Sequence, residues 1–355
     1  MYMKILAINP GSTSTKIALY EDKELLFKEG LEHSTEELSK YPSIASQYEM
    51  RKDAIISVLN KAGYTIDQLS AVVGRGGILP PVRSGAYVVN EVMAEVLLDR
   101  PVLEHASNLG GLIAKDIADT VGIPAYIYDS VAVDELDDVA RITGIKEIRR
   151  KSLSHALNMR AAAIKTAEKL GKPYDRCNLI VAHLGGGMSI SAHKHGRMLD
   201  IVSDDEGPFS PERSGKLPIK DFMKYAVQFD LPTLTKKMRG GAGLVSLLGT
   251  NSALEVEKMI AEGNAEARLV YDAMAYQIAK AIGELSVVLE GEVDAITITG
   301  GIAYSQYITD YVTKKVQFIA PVHILAGENE LESLAHGAYR VLVGEETAHE
   351  FAEKK

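Results

Sequence analysis

Two stretches of the chain share one order of apolar and polar positions. In residues 4–32, an apolar strand at 5–8 leads into a polar loop, a second strand at 16–20, a charged turn and a third strand. Residues 178–203 repeat this order, with three consecutive glycines in the loop at 185–187. Self-similarity of this kind predicts an internal duplication.

Strand and helix periodicities alternate through the rest of the chain. The pattern predicts helices from Ser34 to about Ala62, over 150–170 and from Glu330 to about Val343, and buried strands at 71–73, 125–128, 293–299 and 322–325. A long amphipathic helix carries its apolar residues at Val270, Met274, Ile278, Ile282, Leu285 and Leu289. Each half therefore has three antiparallel strands followed by alternating helices and strands, which predicts a mixed α/β fold used twice.

The duplication places the expected domain boundaries. We assign one domain to residues 1–150 together with a C-terminal helix at about 331–355, and the other to 151–330. Two such domains leave an interdomain cleft, which is the usual place for a nucleotide.

The two hairpin loops are candidate phosphate-binding sites. The first loop contains Asn9, Gly11 and several hydroxyl residues, among them Ser12 and Ser14, and offers backbone N–H and O–H donors at close range. A polar turn at the start of a sheet is the alternative interpretation of one such loop. Two loops facing each other would hold an anionic ligand from both sides.

Charged residues follow two of the predicted strands. Arg75 lies between glycines after the strand at 71–73, and Asp129 follows the strand at 125–128. Ligands of α/β sheets bind outside the carboxyl ends of strands, so both are site candidates. A surface turn for Arg75 and a capping role for Asp129 remain open, and His155, in the first turn of a predicted helix, could equally be structural.

Composition limits the classes of partner. Among 355 residues, 25% are charged and the net charge is −9, which argues against a nucleic-acid partner. Cys177 is the single cysteine, so no disulfide can form within the chain. No apolar run reaches the length of a membrane span, and a strand begins directly after residue 3, which leaves no room for a signal peptide. We expect a cytoplasmic protein.

Motifs spread over nearly the whole chain resemble the acetate and butyrate kinases of the acetokinase family, within the acetate and sugar kinase, heat-shock protein 70 and actin superfamily. The fold this implies is a pair of duplicated actin-like ATPase (ribonuclease H-like) domains. The matching motifs are AINPGSTSTK at 7–16, VVGRGG at 72–77, LEHASNLGG at 103–111, YDS at 128–130, RKSLSHALN at 150–158, AHLGGGMSISAHKHGRMLD at 182–200, EGPFSPERSG at 206–215, ITGGIA at 298–303 and GENELESLAHGA at 327–338.

The resemblance implies a reversible reaction in which ATP and a short-chain carboxylate give ADP and an acyl phosphate, with Mg²⁺. A carboxylate is already ionised at pH 7, so the reaction needs no strong general base. The resemblance also implies a homodimer or a larger homo-oligomer.

The resemblance gives each candidate residue a role. It implies catalytic roles for Arg75, Arg213, His155 and Asp129, and a substrate pocket that contains Arg75 and His105. It places Mg²⁺ near Glu330, Asp129 and Asn9. The implied nucleotide and phosphate contacts are Asn9, Ser12, Ser14, His183, Gly185, Gly186, Gly187, Gly300 and Gly301.

Three departures separate this chain from the acetate kinase pattern. The arginine motif is shortened to GRGG around Arg75, the asparagine of the second phosphate loop is replaced by Gly186, and the segment 249–255 lacks the adenosine-site Asp and Arg. These departures favour the butyrate branch of the family. They leave isobutyrate and valerate open as substrates and do not define the residues that contact adenosine.

Two other classes of function are compatible with this fold. An alcohol phosphotransferase, such as a sugar or glycerol kinase, would need a carboxylate base, and Asp129 could serve. The paired arginines favour an anionic acceptor instead. A non-enzymatic nucleotide switch like actin would need a polymer or client surface, and the sequence supplies no sign of one.

Overall fold

The structure is a computed structural model, and it describes residues 2–203 and 205–353. In chain order, the strands are β1 (Lys4–Pro10), β2 (Ser14–Glu21), β3 (Glu24–Glu32), β4 (Ala71–Arg75), β5 (Ala86–Val88), β6 (Ala125–Tyr128), β7 (Leu179–Leu184), β8 (Met188–Lys194), β9 (Arg197–Val202), β10 (Ala295–Gly300), β11 (Val322–Ala326) and β12 (His349–Glu350).

Helices connect these strands. They are α1 (Thr35–Leu38), α2 (Tyr48–Lys61), α3 (Glu91–Asp99), α4 (Asn108–Val121), α5 (Ala156–Leu170), α6 (Ile219–Ala226), α7 (Leu231–Met238), α8 (Leu244–Leu248), α9 (Ala253–Ala261), α10 (Ala265–Ser286), α11 (Gln306–Val316) and α12 (Glu330–Leu342). Within the described ranges, no helix combines the length and the apolar character that a membrane crossing requires.

The chain divides into two units. Unit 1 comprises Met1–Asp134 and Asn329–Lys355, and unit 2 comprises Glu135–Glu328. The sequence analysis placed the corresponding boundaries at residues 150 and 330. Its assignment of the acyl substrate to the first domain and of the nucleotide to the second stays a prediction.

Unit 1 is built on a seven-stranded sheet with the order β12-β5-β6-β4-β1-β2-β3. Strands β1, β2 and β3 form an antiparallel meander, and β4 and β6 continue from β1 in parallel. Helices α4 and α12 pack against this sheet. The parallel strands β1, β4 and β6 therefore end at the same edge, where Asn9, Arg75 and Asp129 follow or close them.

Unit 2 repeats the arrangement in a five-stranded sheet with the order β11-β10-β7-β8-β9. Strands β7, β8 and β9 form the meander, and β10 pairs with β7 in parallel, as β4 pairs with β1. The long helix α10 packs on this sheet through Met274, Ile278, Ile282 and Leu285, all of which are buried. The predicted helical register is confirmed as far as Leu285, whereas Leu289 is buried but lies beyond the end of α10. The repeated order of strands is confirmed.

Three predicted helices have different bounds. The helix predicted from Ser34 to Ala62 is two helices, because Pro42 disfavours the helical conformation of the residue before it. The helix predicted over 150–170 begins at Ala156, because the segment before it is not helical and Arg150 is held by Asp200 and Glu206.

The helix predicted from Glu330 to about Val343 is confirmed as α12, which ends at Leu342, whereas the C-terminal helix of about 331–355 in the domain assignment is too long. Gly344, with φ of 79°, follows the end of α12. A left-handed glycine after a helix is a common stop signal. Beyond it, the short strand β12 joins the edge of the sheet by pairing with β5. Lys354 and Lys355, the last residues of the predicted helix, lie outside the described residues.

Two helical glycines provide a test of the packing of α12. In Gly337→Ala the new Cβ would lie 2.5 Å from the Tyr128 ring, so the variant should lose about 1–3 kcal/mol of unfolding free energy. In the control Gly283→Ala, on α10, nothing lies within 4 Å of the new Cβ, and alanine should add about 0.4–1 kcal/mol. Urea unfolding followed by circular dichroism measures both, and equal stability of the two variants would contradict the close packing of α12 on Tyr128.

Candidate active site

A cavity of about 370 Å³ lies at the strand-end edge of unit 1. It is lined by Asn9, Pro10, Gly11, Ser12, Ser14, Lys16, Arg75, Ile78, His105, Ser107, Val131 and Glu330. Six residues that the sequence analysis singled out are thus brought together: Asn9, Ser12, Ser14, Arg75, His105 and Glu330. Another depression, along the exposed face of α2, contains none of the predicted site residues.

The Glu330 carboxylate connects three segments that are distant in sequence. Asn9, at the end of β1, donates from Nδ2 to Glu330 Oε2 at 2.5 Å. Arg75, the last residue of β4, donates from Nη1 to Glu330 Oε1. Glu330 is itself the first residue of α12, where the helix dipole favours a negative charge. The contact leaves Nε and Nη2 of Arg75 and Oδ1 of Asn9 for a ligand.

The glycines of the GRGG motif and of the following helix hold Arg75 in place. A Cβ on Gly74 would lie 2.0 Å from the carbonyl oxygen of Gly110, and a Cβ on Gly110 would lie 2.5 Å from that of Arg75. The backbone of α4 therefore contacts the backbone of β4 directly, which only glycine permits. This contact fixes the end of β4 from which the Arg75 side chain extends.

His105 contributes a neutral N–H donor to the cavity. Its Nδ1 accepts the backbone N–H of Ser107 at 3.2 Å and lies 2.8 Å from Ser107 Oγ. The ring proton of the neutral form is therefore on Nε2. Burial, and secondly the positive charge of Arg75, lower the pKa of His105 below its ordinary value of 6.5. The imidazole is uncharged at neutral pH.

Asp129 is not among the residues that line the cavity. It has a left-handed backbone with φ of 42°, its Oδ1 accepts the N–H of Gly85 at 2.7 Å, and its own N–H donates to Gly85 O at 3.1 Å. Its side chain is 4% exposed. The carboxylate thus stabilises the turn at Gly85, a contact that the sequence did not indicate.

The predicted metal ligands can be compared with what Mg²⁺ requires. In the described part of the chain, no group of three or more His, Cys, Asp and Glu side chains converges on one point. Mg²⁺ commonly binds through one or two carboxylates together with substrate phosphates. Glu330 and Oδ1 of Asn9 fit such a site, because both are oxygen ligands beside the cavity, whereas Asp129 is engaged with Gly85.

In unit 2, the glycine loop between β7 and β8 is held by the segment that carries Arg213. The Gly186 carbonyl accepts Ser210 Oγ at 2.5 Å and the backbone N–H of Glu212 at 3.3 Å. Gly185 N–H closes the loop on Gly187 O at 3.1 Å. Gly186 stands where the acetate kinase pattern has asparagine, and the loop is held through its backbone instead.

Arg213 lies in that same segment. Its Nη1 is 3.6 Å from Glu212 Oε2, and its backbone N–H donates to Ser210 Oγ at 3.1 Å. Glu212 Oε1 in turn accepts Asn251 Nδ2 at 2.7 Å. Glu212 was not among the residues predicted from the sequence, although it directly precedes the predicted arginine.

His155 and His183 form a stacked pair with their ring centroids 4.2 Å apart. His183 is 1% exposed, and its Nε2 lies 3.2 Å from Glu328 Oε1. His155 Nδ1 lies 3.1 Å from Ser189 Oγ. His155 occupies the N-cap position of α5 rather than its first turn.

Three buried polar atoms of this pair and of its neighbours in sequence have no hydrogen-bond partner among the described residues. They are Nδ1 of His183, Oγ of Ser154 and Oδ1 of Asn158. Buried polar groups are normally satisfied, so these atoms indicate a site for a polar ligand.

Gly300 and Gly301 lie at the end of β10. Gly300 has φ of 91°, and a Cβ there would lie 2.4 Å from the carbonyl oxygen of Leu184, the last residue of β7. The close approach of two strand ends requires glycine at this position. The end of β10 therefore lies directly against the end of β7, from which the glycine loop starts.

The chain was compared with known proteins. The model of the acetokinase family matches residues 140–347. Butyrate kinase 2 of Clostridium acetobutylicum is 48% identical over 355 residues, which cover 99% of this chain and 100% of that protein.

Solved structures agree in fold. Acetate kinase from Porphyromonas gingivalis superposes with a TM-score of 0.79 at 21% identity, over 96% of this chain and 100% of that one. A propionate kinase from Francisella tularensis has a TM-score of 0.73 at 19% identity, over 94% and 98%. These likenesses confirm the predicted actin-like ATPase fold.

The pKa of His105 provides a test of the cavity electrostatics. Arg75→Gln removes the positive charge beside the ring and should raise the pKa of His105, while burial continues to lower it. Titration of the histidine ring signals by NMR measures the shift. In the control Arg100→Gln, an arginine paired with Glu353, the His105 pKa should stay unchanged. If the His105 pKa is the same in Arg75→Gln and in wild type, the charge of Arg75 does not act on the His105 ring.

Proposed function

The chain belongs to the acetokinase family, and on this basis we propose that it is a butyrate kinase. The reaction is reversible transfer of the γ-phosphoryl group of ATP to the carboxylate of butyrate or a similar short-chain fatty acid, which gives ADP and an acyl phosphate. The observation that carries the proposal is the 48% identity with Butyrate kinase 2 over essentially the whole of both chains.

The cavity of unit 1 suits the acid. Arg75 keeps Nε and Nη2 for the substrate carboxylate, and the planar guanidinium matches a carboxylate in geometry and charge. His105 adds an uncharged N–H donor to the same cavity, and this donor can bind the substrate carboxylate. Ile78 and Val131 line the same cavity and provide an apolar surface for the acyl chain.

The transfer itself requires charge neutralisation more than covalent help. A carboxylate oxygen attacks the γ-phosphorus in line while the bond to the bridging oxygen of ADP breaks, so no proton has to be removed from the nucleophile. We assign Arg213, His155 and His183 to the charge that spreads over the transferring phosphoryl oxygens. The stacking of His155 on the buried His183 supports assigning the two rings together.

Nucleotide and metal complete the proposed site. The backbone of Gly185, Gly186 and Gly187, together with Gly300 and Gly301, is assigned to the nucleotide phosphates, as are the hydroxyls of Ser12 and Ser14. Mg²⁺, held by Glu330 and Asn9, supplies neutralisation of phosphate charge when it is bound. Asp129 retains a role in orienting this edge through the turn at Gly85, rather than as a ligand.

An alcohol phosphotransferase is less well supported. It needs a carboxylate base at the acceptor hydroxyl, and the candidate Asp129 accepts a backbone N–H outside the cavity lining. A non-enzymatic switch finds no supporting observation. A cytoplasmic location and a homodimeric or larger assembly remain predictions, and size-exclusion chromatography with light scattering measures the latter.

Trapping of the acyl phosphate tests the reaction. With ATP, Mg²⁺ and hydroxylamine, the full chain should form hydroxamate from butyrate faster than from acetate. The straight acids from acetate to hexanoate, with isobutyrate, are supplied in parallel, and glycerol and glucose serve as alcohol acceptors scored by ADP release. ADP release with an alcohol and no hydroxamate from any acid would overturn the proposal.

Substitution of Arg213 tests its assignment. Arg213→Ala should lower kcat/KM by about 10²-fold or more, because a donor to the transition-state charge is lost. The control Arg197→Ala removes a half-exposed arginine that pairs with Asp137, and its effect should stay within about twofold. Wild-type kcat/KM in Arg213→Ala would remove this residue from the site.

A further inference from the structure

Arg51, on α2, is a fully buried arginine at the base of the first hairpin loop. Its side chain is 0% exposed, and it approaches the loop from a helix that the sequence analysis did not connect with the site. Nη1 donates to Gly11 O at 2.8 Å and to Ser14 O at 3.1 Å, and Nη2 donates to Ser12 O at 3.1 Å. One guanidinium thus holds three carbonyl groups of the loop that lines the unit 1 cavity.

The rest of the guanidinium is satisfied by neutral groups. Gln47 Oε1 accepts Nη2 at 2.8 Å and Nε at 3.2 Å, and Thr15 Oγ1 accepts Nη1 at 3.1 Å. Among the described residues, no carboxylate lies within ion-pair distance of Arg51. The charge of Glu37 acts from farther away, and that carboxylate lies 3.6 Å from Nδ1 of His33.

A buried charge without a counter-ion is costly, and most such charges are paired. The positive charge of Arg51 is balanced locally only by the negative ends of peptide and amide dipoles. Its field therefore extends through the loop toward the cavity. If Arg51 only supported the loop, an uncharged side chain that donates to the same carbonyl groups would be sufficient.

The peptide geometry shows where this field is directed. In a trans peptide the C=O and N–H groups point in opposite directions. The carbonyls of Gly11 and Ser12 point at Arg51, so the N–H groups of the same two peptide units, on Ser12 and Thr13, point away from it. In the described part of the chain these two N–H groups have no acceptor. Consecutive N–H groups of this kind form a concave donor site for anions.

We propose that Arg51 is a positioning residue that turns the N–H groups of Ser12 and Thr13 outward as a pair of donors for a phosphoryl or carboxylate group, and that its charge strengthens them. The identity of the anion rests on the proposed function, while the donor pair does not. Arg51 contacts no substrate, and it acts through the two peptide groups.

Gln47→Glu separates this role from a structural one. The carboxylate replaces an amide of the same shape and keeps the acceptor for Nη2 and Nε, so the loop should fold as in wild type. It neutralises Arg51, however, and should weaken the binding of inorganic phosphate by about tenfold, as expected for a charge removed a few ångströms from an anion. Gln317→Glu adds the same charge at an exposed position of unit 2 and should leave phosphate binding unchanged.

The readout is the amide signals of the two donors. In the full chain labelled with ¹⁵N serine and threonine, added inorganic phosphate should shift the Ser12 and Thr13 amide protons downfield in wild type and in Gln317→Glu. The shifts at equal phosphate concentration should be much smaller in Gln47→Glu. Thermal unfolding confirms that each variant is folded.

Arg51→Lys covers the case in which Gln47→Glu does not fold. The ammonium keeps the charge but cannot hold three carbonyls in the guanidinium geometry, so both amide shifts and kcat/KM for butyrate should fall. The lost hydrogen bonds should also lower the unfolding temperature, which is measured in parallel. Wild-type phosphate affinity and amide shifts in whichever of these variants is folded would overturn the inference. Hydroxamate formation is measured in a separate assay. If butyrate is not the substrate, the amide shifts therefore still test the role of Arg51.

Discussion

The Glu330 carboxylate is the contact on which the unit 1 site depends. It connects the end of β1 through Asn9, the end of β4 through Arg75 and the start of α12, which are distant in sequence. Without it, the arginine at the cavity would have no fixed orientation, because its side chain extends from a strand end.

Unit 2 contains a similar contact, formed by a glutamate two residues before Glu330 in the chain. Glu328 pairs with the buried His183, whose ring stacks on His155. A carboxylate beside an imidazole fixes the ring orientation and favours one tautomer. Each unit therefore positions a candidate ligand-binding side chain with a glutamate from the same short motif.

Close backbone packing fixes two of the strand ends at the candidate sites. Direct contact between Gly74 and Gly110, and between Gly300 and the end of β7, is possible only because no Cβ intervenes. Arg51 holds the first loop from beneath, whereas the second is held by the segment around Ser210. The two units thus support their loops in different ways, one through a buried arginine and one through a serine hydroxyl.

The sequence by itself determined the duplicated meander, the register of α10 and the set of strand-end residues, because these follow from local periodicity and turn chemistry. It could not determine that Asp129 faces Gly85, that α5 begins only at Ala156, or that Arg51 belongs to the first loop. Those outcomes depend on contacts between residues far apart in the chain, whose free energy no local pattern encodes. Only the tertiary structure decided which strand-end side chains share one cavity.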